Sequence, residues 1–282
     1  MKNDETKISV IVPVFNSAST LDQALNSFRD QTYRHKELIV IDGGSTDGSV
    51  AVIKAYQDVI AYWESAPDRG IYHALNKGLA HATGNWIYFL GSDDYLMARD
   101  VLERVAVHLK QSVGGSRIVY CKIAIVSPQG EILEYQGDPW DAAKQSLHTR
   151  MPMCHQAVFH RIDLFEDRGL FDESYSASGD YELLLRELKD GDALFVPDVV
   201  VAAFRWGGKS TSPGFSFLVV KEEARARRQH GLPGYPVSCY WIAFKAFTRY
   251  RLSTMLGDRY FRPVADLYRR LCGRQSIGAG SR

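Results

Sequence analysis

Ile8-Ser9-Val10-Ile11-Val12-Pro13-Val14 reads as a strand buried on both faces, because its apolar residues run on without the alternation that a half-exposed strand shows. Behind it Leu21, Ala24, Leu25 and Phe28 recur at helical spacing, with Ser19 or Thr20 placed to cap the helix. The same pairing repeats downstream. Residues 37–41, 60–63 and 86–90 are further apolar strand candidates, and residues 50–56 and 71–82 have helical patterning. Strands alternating with helices over residues 8–110 predict a parallel sheet joined by right-handed crossovers.

From about Arg117 the rhythm becomes mixed. Residues 118–126 and 132–135 flank a Pro128-Gln129-Gly130 turn and suggest a hairpin. Residues 180–188 look helical, residues 194–201 look like a strand, and two or three basic helices are expected from Phe217 onward. A chain of 282 residues with 45% hydrophobic and 24% charged residues is an ordinary globular composition, consistent with one large core plus an appendage. Cys121, Cys154, Cys239 and Cys272 are far apart and contain no C-x-x-C pair, which argues against a zinc or dithiol redox site. Residues 1–7 are polar and the first apolar run has only strand length, so no secretory signal is expected and the chain is placed in the cytoplasm.

Acidic residues gather where strands should end. Gly91-Ser92-Asp93-Asp94 follows the strand at 86–90, and a buried strand has no need of two adjacent acids. At the carboxyl edge of a parallel sheet, one carboxylate can hold Mg²⁺ or Mn²⁺ while the other reaches a ribose hydroxyl; the bland reading is a turn that caps the next helix. Asp42, before Gly43-Gly44-Ser45-Thr46-Asp47-Gly48, stands in the same register and can accept hydrogen bonds from a nucleobase or ribose. The alternative there is that Ser45 or Thr46 caps a helix and Asp47 favours its first turn. Arg69, in Asp68-Arg69-Gly70, fits a phosphate contact or a surface ion pair. Asp180, in Ser178-Gly179-Asp180-Tyr181-Glu182, fits either a helix N-terminal acid or a general base.

With residues 10–16, 41–48, 68–72 and 92–94 in this order, the chain resembles family-2 glycosyltransferases. The likeness continues through Met153-Cys154-His155-Gln156-Ala157-Val158-Phe159, Gly169-Leu170-Phe171-Asp172-Glu173, Gly179-Asp180-Tyr181-Glu182 and Trp206-Gly207-Gly208. It implies a GT-A type fold, a Rossmann-like mixed α/β sheet with mostly parallel strands flanked by helices, here with a C-terminal helical extension. The implied division is a nucleotide-sugar-binding half at 1–110, an acceptor-binding half at 111–214 of the same domain, and a basic extension at 215–282. It also implies an inverting transfer from a nucleoside-diphosphate sugar to an acceptor hydroxyl, assisted by Mn or Mg. By position in these motifs, Pro13, Val14, Asp42 and Arg69 would bind the nucleoside, Asp93 would contact ribose or diphosphate, Asp94 would hold the metal and Asp180 would be the catalytic base. His155, Gly207 and Gly208 would lie on the acceptor side. Two departures bear on donor preference, for the family often has an acid where Gly43 stands and another where Gly179 stands.

Rival signatures are absent or incomplete. No G-x-G-x-x-G or G-x-S-x-G occurs, and residues 203–210 end like a P-loop but lack its first glycine. A nucleotide-binding subunit of a glycan-assembly complex and a sugar nucleotidyltransferase remain as alternatives. The expected partners are the nucleotide sugar and a glycan or lipid-linked acceptor, in polysaccharide or glycolipid biosynthesis. Net charge is only +1, yet residues 217–282 carry two Lys and eleven Arg against four acids, a net +9, which leaves −8 for residues 1–216. That basic tail fits either an anionic membrane surface, at the inner face of the plasma membrane, or a helix packed on the body; nucleic acid is not expected beside an acidic body.

Overall fold

The computed structural model describes residues 6–112, 115–207 and 213–232, together with 244, 247, 248 and 251. Strand β1 (Ile8–Val14) is followed by α1 (Ala18–Arg29), β2 (Lys36–Asp42), α2 (Ser49–Ala55), β3 (Tyr62–Ser65), α3 (Ile71–His81), β4 (Trp86–Phe89), β5 (Tyr95–Leu96) and α4 (Val101–Gln111). The second half contributes β6 (Ile118–Val126), β7 (Ile132–Gln136), α5 (Trp140–Leu147), a 3-10 turn at His155–Ala157, β8 (Val158–Arg161), α6 (Asp163–Arg168), α7 (Gly179–Leu188), β9 (Ala193–Arg205) and α8 (Pro213–Gln229).

These strands form one nine-stranded sheet in the order β3-β2-β1-β4-β8-β6-β9-β5, with β7 beside β6. The first four positions are parallel throughout, as the alternating pattern predicts. Strand β8 then enters antiparallel to both β4 and β6, so one sheet continues from the first half into the second. Strand β6 runs parallel to β9 along one edge, and its other edge is shared by β8 at 118–120 and β7 at 123–126.

The two-residue period of a strand sends neighbouring side chains to opposite faces, and both faces are covered. Ile8, Val10, Val12 and Val14 pack with Leu21, Leu25 and Phe28 of α1 and with Leu102, Val105 and Leu109 of α4. Ile11, Ile39 and Ile41 pack on the other side with Leu75 and Leu79 of α3 and with Leu183, Leu184 and Leu188 of α7. Each such fully buried side chain is worth about 1.5–3 kcal/mol, so the sheet edge carrying the acids is held by both layers.

Some local expectations change. Helix α1 begins at Ala18 behind Ser17, not at Ser19 or Thr20, because Ser17 Oγ is engaged by Phe15 O and Ser92 Oγ and the Thr20 hydroxyl by Ser17 O and Ser92 O. Helix α2 is preceded by Gly48 rather than capped by Ser45 or Thr46; Asp47 holds its first turn by accepting from the Ser49 amide at 3.0 Å. Strand β9 extends to Arg205, so the P-loop-like run begins inside a strand. Gly208, and the basic helices expected beyond Leu232 apart from the four positions named, lie outside the described residues.

Candidate active site

Strands β2, β1 and β4 lie side by side and end at one edge, and the order β3-β2-β1-β4 reverses direction between β1 and β4. A crevice outside the carboxyl ends of strands at such a switch point is where ligands bind in open α/β sheets. The loops that leave these ends are tied together. Asn16, at φ 49°, donates its amide to Ser45 Oγ at 2.7 Å and accepts from the Thr46 amide at 2.9 Å, while Ser17 Oγ meets Ser92 Oγ at 2.8 Å. Asp42 and Asp93-Asp94 therefore share one edge.

Their chemistry differs. Asp42 is fully buried, and its carboxylate accepts from the Gly44 and Ser45 amides at 3.1 and 3.0 Å and from the Ser45 and Ser65 hydroxyls at 2.5 and 2.6 Å. Asp94 is 1% exposed; its Oδ1 accepts the Arg205 amide at 2.9 Å, whereas Oδ2 is buried with no hydrogen-bond partner. The Gln156 side chain near this carboxyl acts to lower its pKa, against the larger effect of burial. Burial, and next the like charge of Asp93, pushes the Asp94 pKa well above the carboxylate range, and burial also raises Asp93. A Cβ on Gly91 would stand 2.4 Å from Asp94 Oδ2 and 3.1 Å from Asp93 Oδ1, so both acids fold back over a residue that has no side chain.

A divalent cation fits this spot, since a buried carboxylate oxygen without a donor is costly unless a positive charge meets it. Among the described residues no group of three or more His, Cys, Asp or Glu side chains could hold a metal, so the remaining ligands would be phosphate oxygens and water.

Asp180 stands in the first turn of α7 and accepts from the Tyr72 hydroxyl at 3.2 Å and the Tyr181 amide at 2.9 Å, both on Oδ1. Burial, and next the charges of Asp94 and Asp180, push the Cys154 thiol up to about 12. His155 lies next to that thiol, with Nε2 3.2 Å from His160 Nε2 and its ring stacked on Phe89 at 5.2 Å. Burial lowers the His155 pKa, partly offset by Asp180.

The remaining candidates spread around this centre. Pro13 and Val14 pair with Ile41 and Asp42, and the Val14 carbonyl accepts the Gly43 amide at 2.9 Å. Arg69 is at the rim, where its guanidinium meets Glu173 Oε2 at 2.5 Å, so the ion-pair alternative is realised. Gly207, at φ 109°, lies 3.5 Å from the Pro128 ring by its Cβ position, at the end of β9.

Three contributors escaped the sequence reading. Arg205 closes the acidic loop through its amide and through Nε to the Asp93 carbonyl at 3.1 Å, and its Nη1 reaches the Pro128 carbonyl at 2.8 Å. Asp68 Oδ2 would stand 2.4 Å from a Cβ on Gly43, so it occupies the space where the family often has a second acid. Glu222 of α8 accepts from the Ser176, Ala177 and Ser178 amides at 2.8–3.2 Å and braces the loop before Asp180. Only Asp68 had a sequence signal, as the neighbour of Arg69.

Comparison with known proteins agrees with this architecture. A PGL/p-HBAD biosynthesis glycosyltransferase of Mycobacterium tuberculosis is 32% identical over 183 residues, 63% of this chain and 68% of that protein. An uncharacterized glycosyltransferase of the same organism is 31% identical over 259 residues, 86% of this chain and 92% of that protein. The fold is shared with the Pyrobaculum calidifontis mannosyltransferase PcManGT, solved with GDP-Man and Mn²⁺, at TM-score 0.62 and 21% identity over 99% of this chain and 77% of that one. It is shared too with S. aureus TarS 1-349 in complex with UDP-GlcNAc, at TM-score 0.61 and 21% identity over 78% and 66% of the two chains. Residues 9–161 match the family described as Glycosyl transferase family 2, and the chain belongs to that family.

Proposed function

We propose that the chain transfers a sugar from a nucleoside-diphosphate sugar to an acceptor hydroxyl with inversion at the anomeric carbon. The observation that carries this is the buried, unpartnered Oδ2 of Asp94 at the switch point of the sheet. In this reading the nucleoside lies over Pro13, Val14, Asp42 and Arg69, Asp93 meets the ribose or diphosphate, and residues 111–214 receive the acceptor beside His155 and Gly207. A cation held by Asp94 would neutralise charge that develops on the departing diphosphate. Asp180 takes the proton from the acceptor hydroxyl, and attack from the face opposite the leaving group gives inversion.

A thermal-shift screen of UDP, GDP and other nucleoside diphosphates, with and without Mn²⁺, tests donor class and metal together. We expect one diphosphate to raise the midpoint, and to do so only with Mn²⁺; no response to any overturns the proposal. Asp94→Asn and Asp180→Asn should each lower turnover by at least about a hundredfold, the scale of lost general-base or metal assistance. Near-normal turnover removes that residue's role.

The acceptor we infer is a glycan or lipid-linked glycan used in polysaccharide or glycolipid assembly, supported by a relative named for PGL/p-HBAD biosynthesis. Among the described residues no helix is long and apolar enough to cross a membrane, so contact with the inner face would run through the basic extension. Liposome flotation of the full chain against one ending at Leu232, which keeps α8 and its hold on the Asp180 loop, tests that surface; equal binding overturns it.

A further inference from the structure

Tyr72 is the second residue of α3, directly after the Asp68-Arg69-Gly70 loop, yet its hydroxyl reaches across to Asp180 at the start of α7. Its ring is 5% exposed and stacks on Phe171 at 5.6 Å between centroids. The ring also fills the place of a missing side chain. A Cβ on Gly179 would stand 2.9 Å from Tyr72 Cε2 and Cζ and 3.0 Å from Cε1, closer than real Cβ contacts come. Glycine is a poor helix residue, and Gly179 begins α7 at a φ that other residues adopt, so backbone conformation does not explain it. The close approach of Tyr72 does.

The contact has a direction. Burial, and next the charge of Asp180, raises the Tyr72 pKa well above its usual value, so the phenol keeps its proton and donates it. Tyr72 and the Tyr181 amide both use Oδ1, which leaves Oδ2 as the oxygen free to take a proton. Other ionisable groups that feel Asp180 are His155 and Cys154 at the 3-10 turn and Glu223 of α8.

We propose that Tyr72 is a positioning residue, whose hydroxyl fixes Oδ1 of Asp180 so that Oδ2 meets the acceptor hydroxyl, and that Gly179 is small in order to admit its ring. This rests on Asp180 being the base. It joins the loop on the donor side to the group that activates the acceptor through one side chain.

The test measures nucleoside-diphosphate release from UDP-GlcNAc or GDP-mannose with Mn²⁺, using the full chain. Tyr72→Phe keeps the ring and should lower kcat about tenfold, the effect of one hydrogen bond to a charged group, with donor KM unchanged. Gly179→Ala should lower kcat by a similar factor in the parent chain, because its methyl displaces the ring that carries the hydroxyl to Asp180. A kcat within twofold of the parent in Tyr72→Phe, or a loss matched by a rise in donor KM, overturns the proposal. Asp180→Asn run beside it separates the two levels: if that variant is inactive and Tyr72→Phe is unaffected, the positioning role alone fails, whereas an active Asp180→Asn removes the base as well.

Discussion

Asp42 and Asp94 follow strands that flank the same central β1, and both are buried, but one carboxylate is saturated and the other is starved. Four donors surround Asp42, including two backbone amides of its own loop. Asp94 receives a single amide, from Arg205, and keeps a bare oxygen against its acidic neighbour. The first is a loop organiser that can serve a nucleoside mainly by holding Gly43 to Ser45 in place. The second is an unfinished site, stable only when something positive arrives or when it carries a proton.

Removing the charge from each acid separates these roles most sharply. In Asp94→Asn the hundredfold loss of turnover should come with an unchanged or higher melting midpoint in the absence of metal, because a buried charge without a partner has been removed. Gly91→Ala should produce part of the same loss with both acids intact, since the new methyl displaces Asp94 Oδ2. A fall in metal-free stability in Asp94→Asn would mean that this carboxylate is a structural member like Asp42.

Asp42→Asn should do the reverse. An amide offers one acceptor oxygen and turns its own donors toward the Ser45 and Gly44 groups, so we expect a loss of about 2–3 kcal/mol in stability, the scale of hydrogen bonds to a charged group. Urea unfolding without ligand measures it; a change under about 0.5 kcal/mol, the usual range for an unremarkable surface site, would show that the loop stands without the charge.

Acidity gives a third contrast. The folded chain holds the Asp94 proton more tightly than the unfolded chain, whose aspartates titrate near about 3.9. Stability of the metal-free protein is therefore fully present at or below that range and is lost as the pH rises through the raised folded value. Mn²⁺ needs the ionised form, so its stabilising effect with a nucleoside diphosphate should grow as the pH rises. Thermal midpoints across pH, with and without Mn²⁺, check this, and a metal effect that shrinks with pH would contradict it.

The sequence revealed one region far better than the other, for physical reasons. Strands β1, β2 and β4 are buried on both faces and read as apolar runs, so the parallel half and its strand-end acids were legible. In the second half β5 has two residues and β8 contains His160 and Arg161, too short and polar to announce themselves. Strand β9 runs on past the 194–201 that its apolar pattern marks, to Arg205, and at Pro197 and Asp198 its register on β6 jumps from Val196 to Val200, which lets a strand pass a residue with no amide to donate. The site itself is least legible. Asp94 is held by an amide 111 residues away and Asp180 by a hydroxyl 108 residues away, and no local pattern encodes either contact.

The smallest expected effect concerns Arg69, whose side chain is 68% exposed while that of Glu173 is 30% exposed. Glu173→Gln keeps the shape and the Oε1 acceptor that Asn76 uses at 3.1 Å, yet removes the charge that holds the guanidinium. An exposed ion pair contributes about 0–1 kcal/mol, so stability should barely move. Nucleoside-diphosphate affinity should then rise a few fold, roughly the return of less than 1.4 kcal/mol per tenfold, because the released guanidinium no longer has to leave a carboxylate to meet a phosphate. Calorimetric titration with the diphosphate selected by the thermal-shift screen reads this directly. Unchanged affinity would make Arg69 a tie between its loop and the Glu173 segment rather than a ligand to the donor, and would leave Asp68 as the charged group of that loop on the nucleotide side.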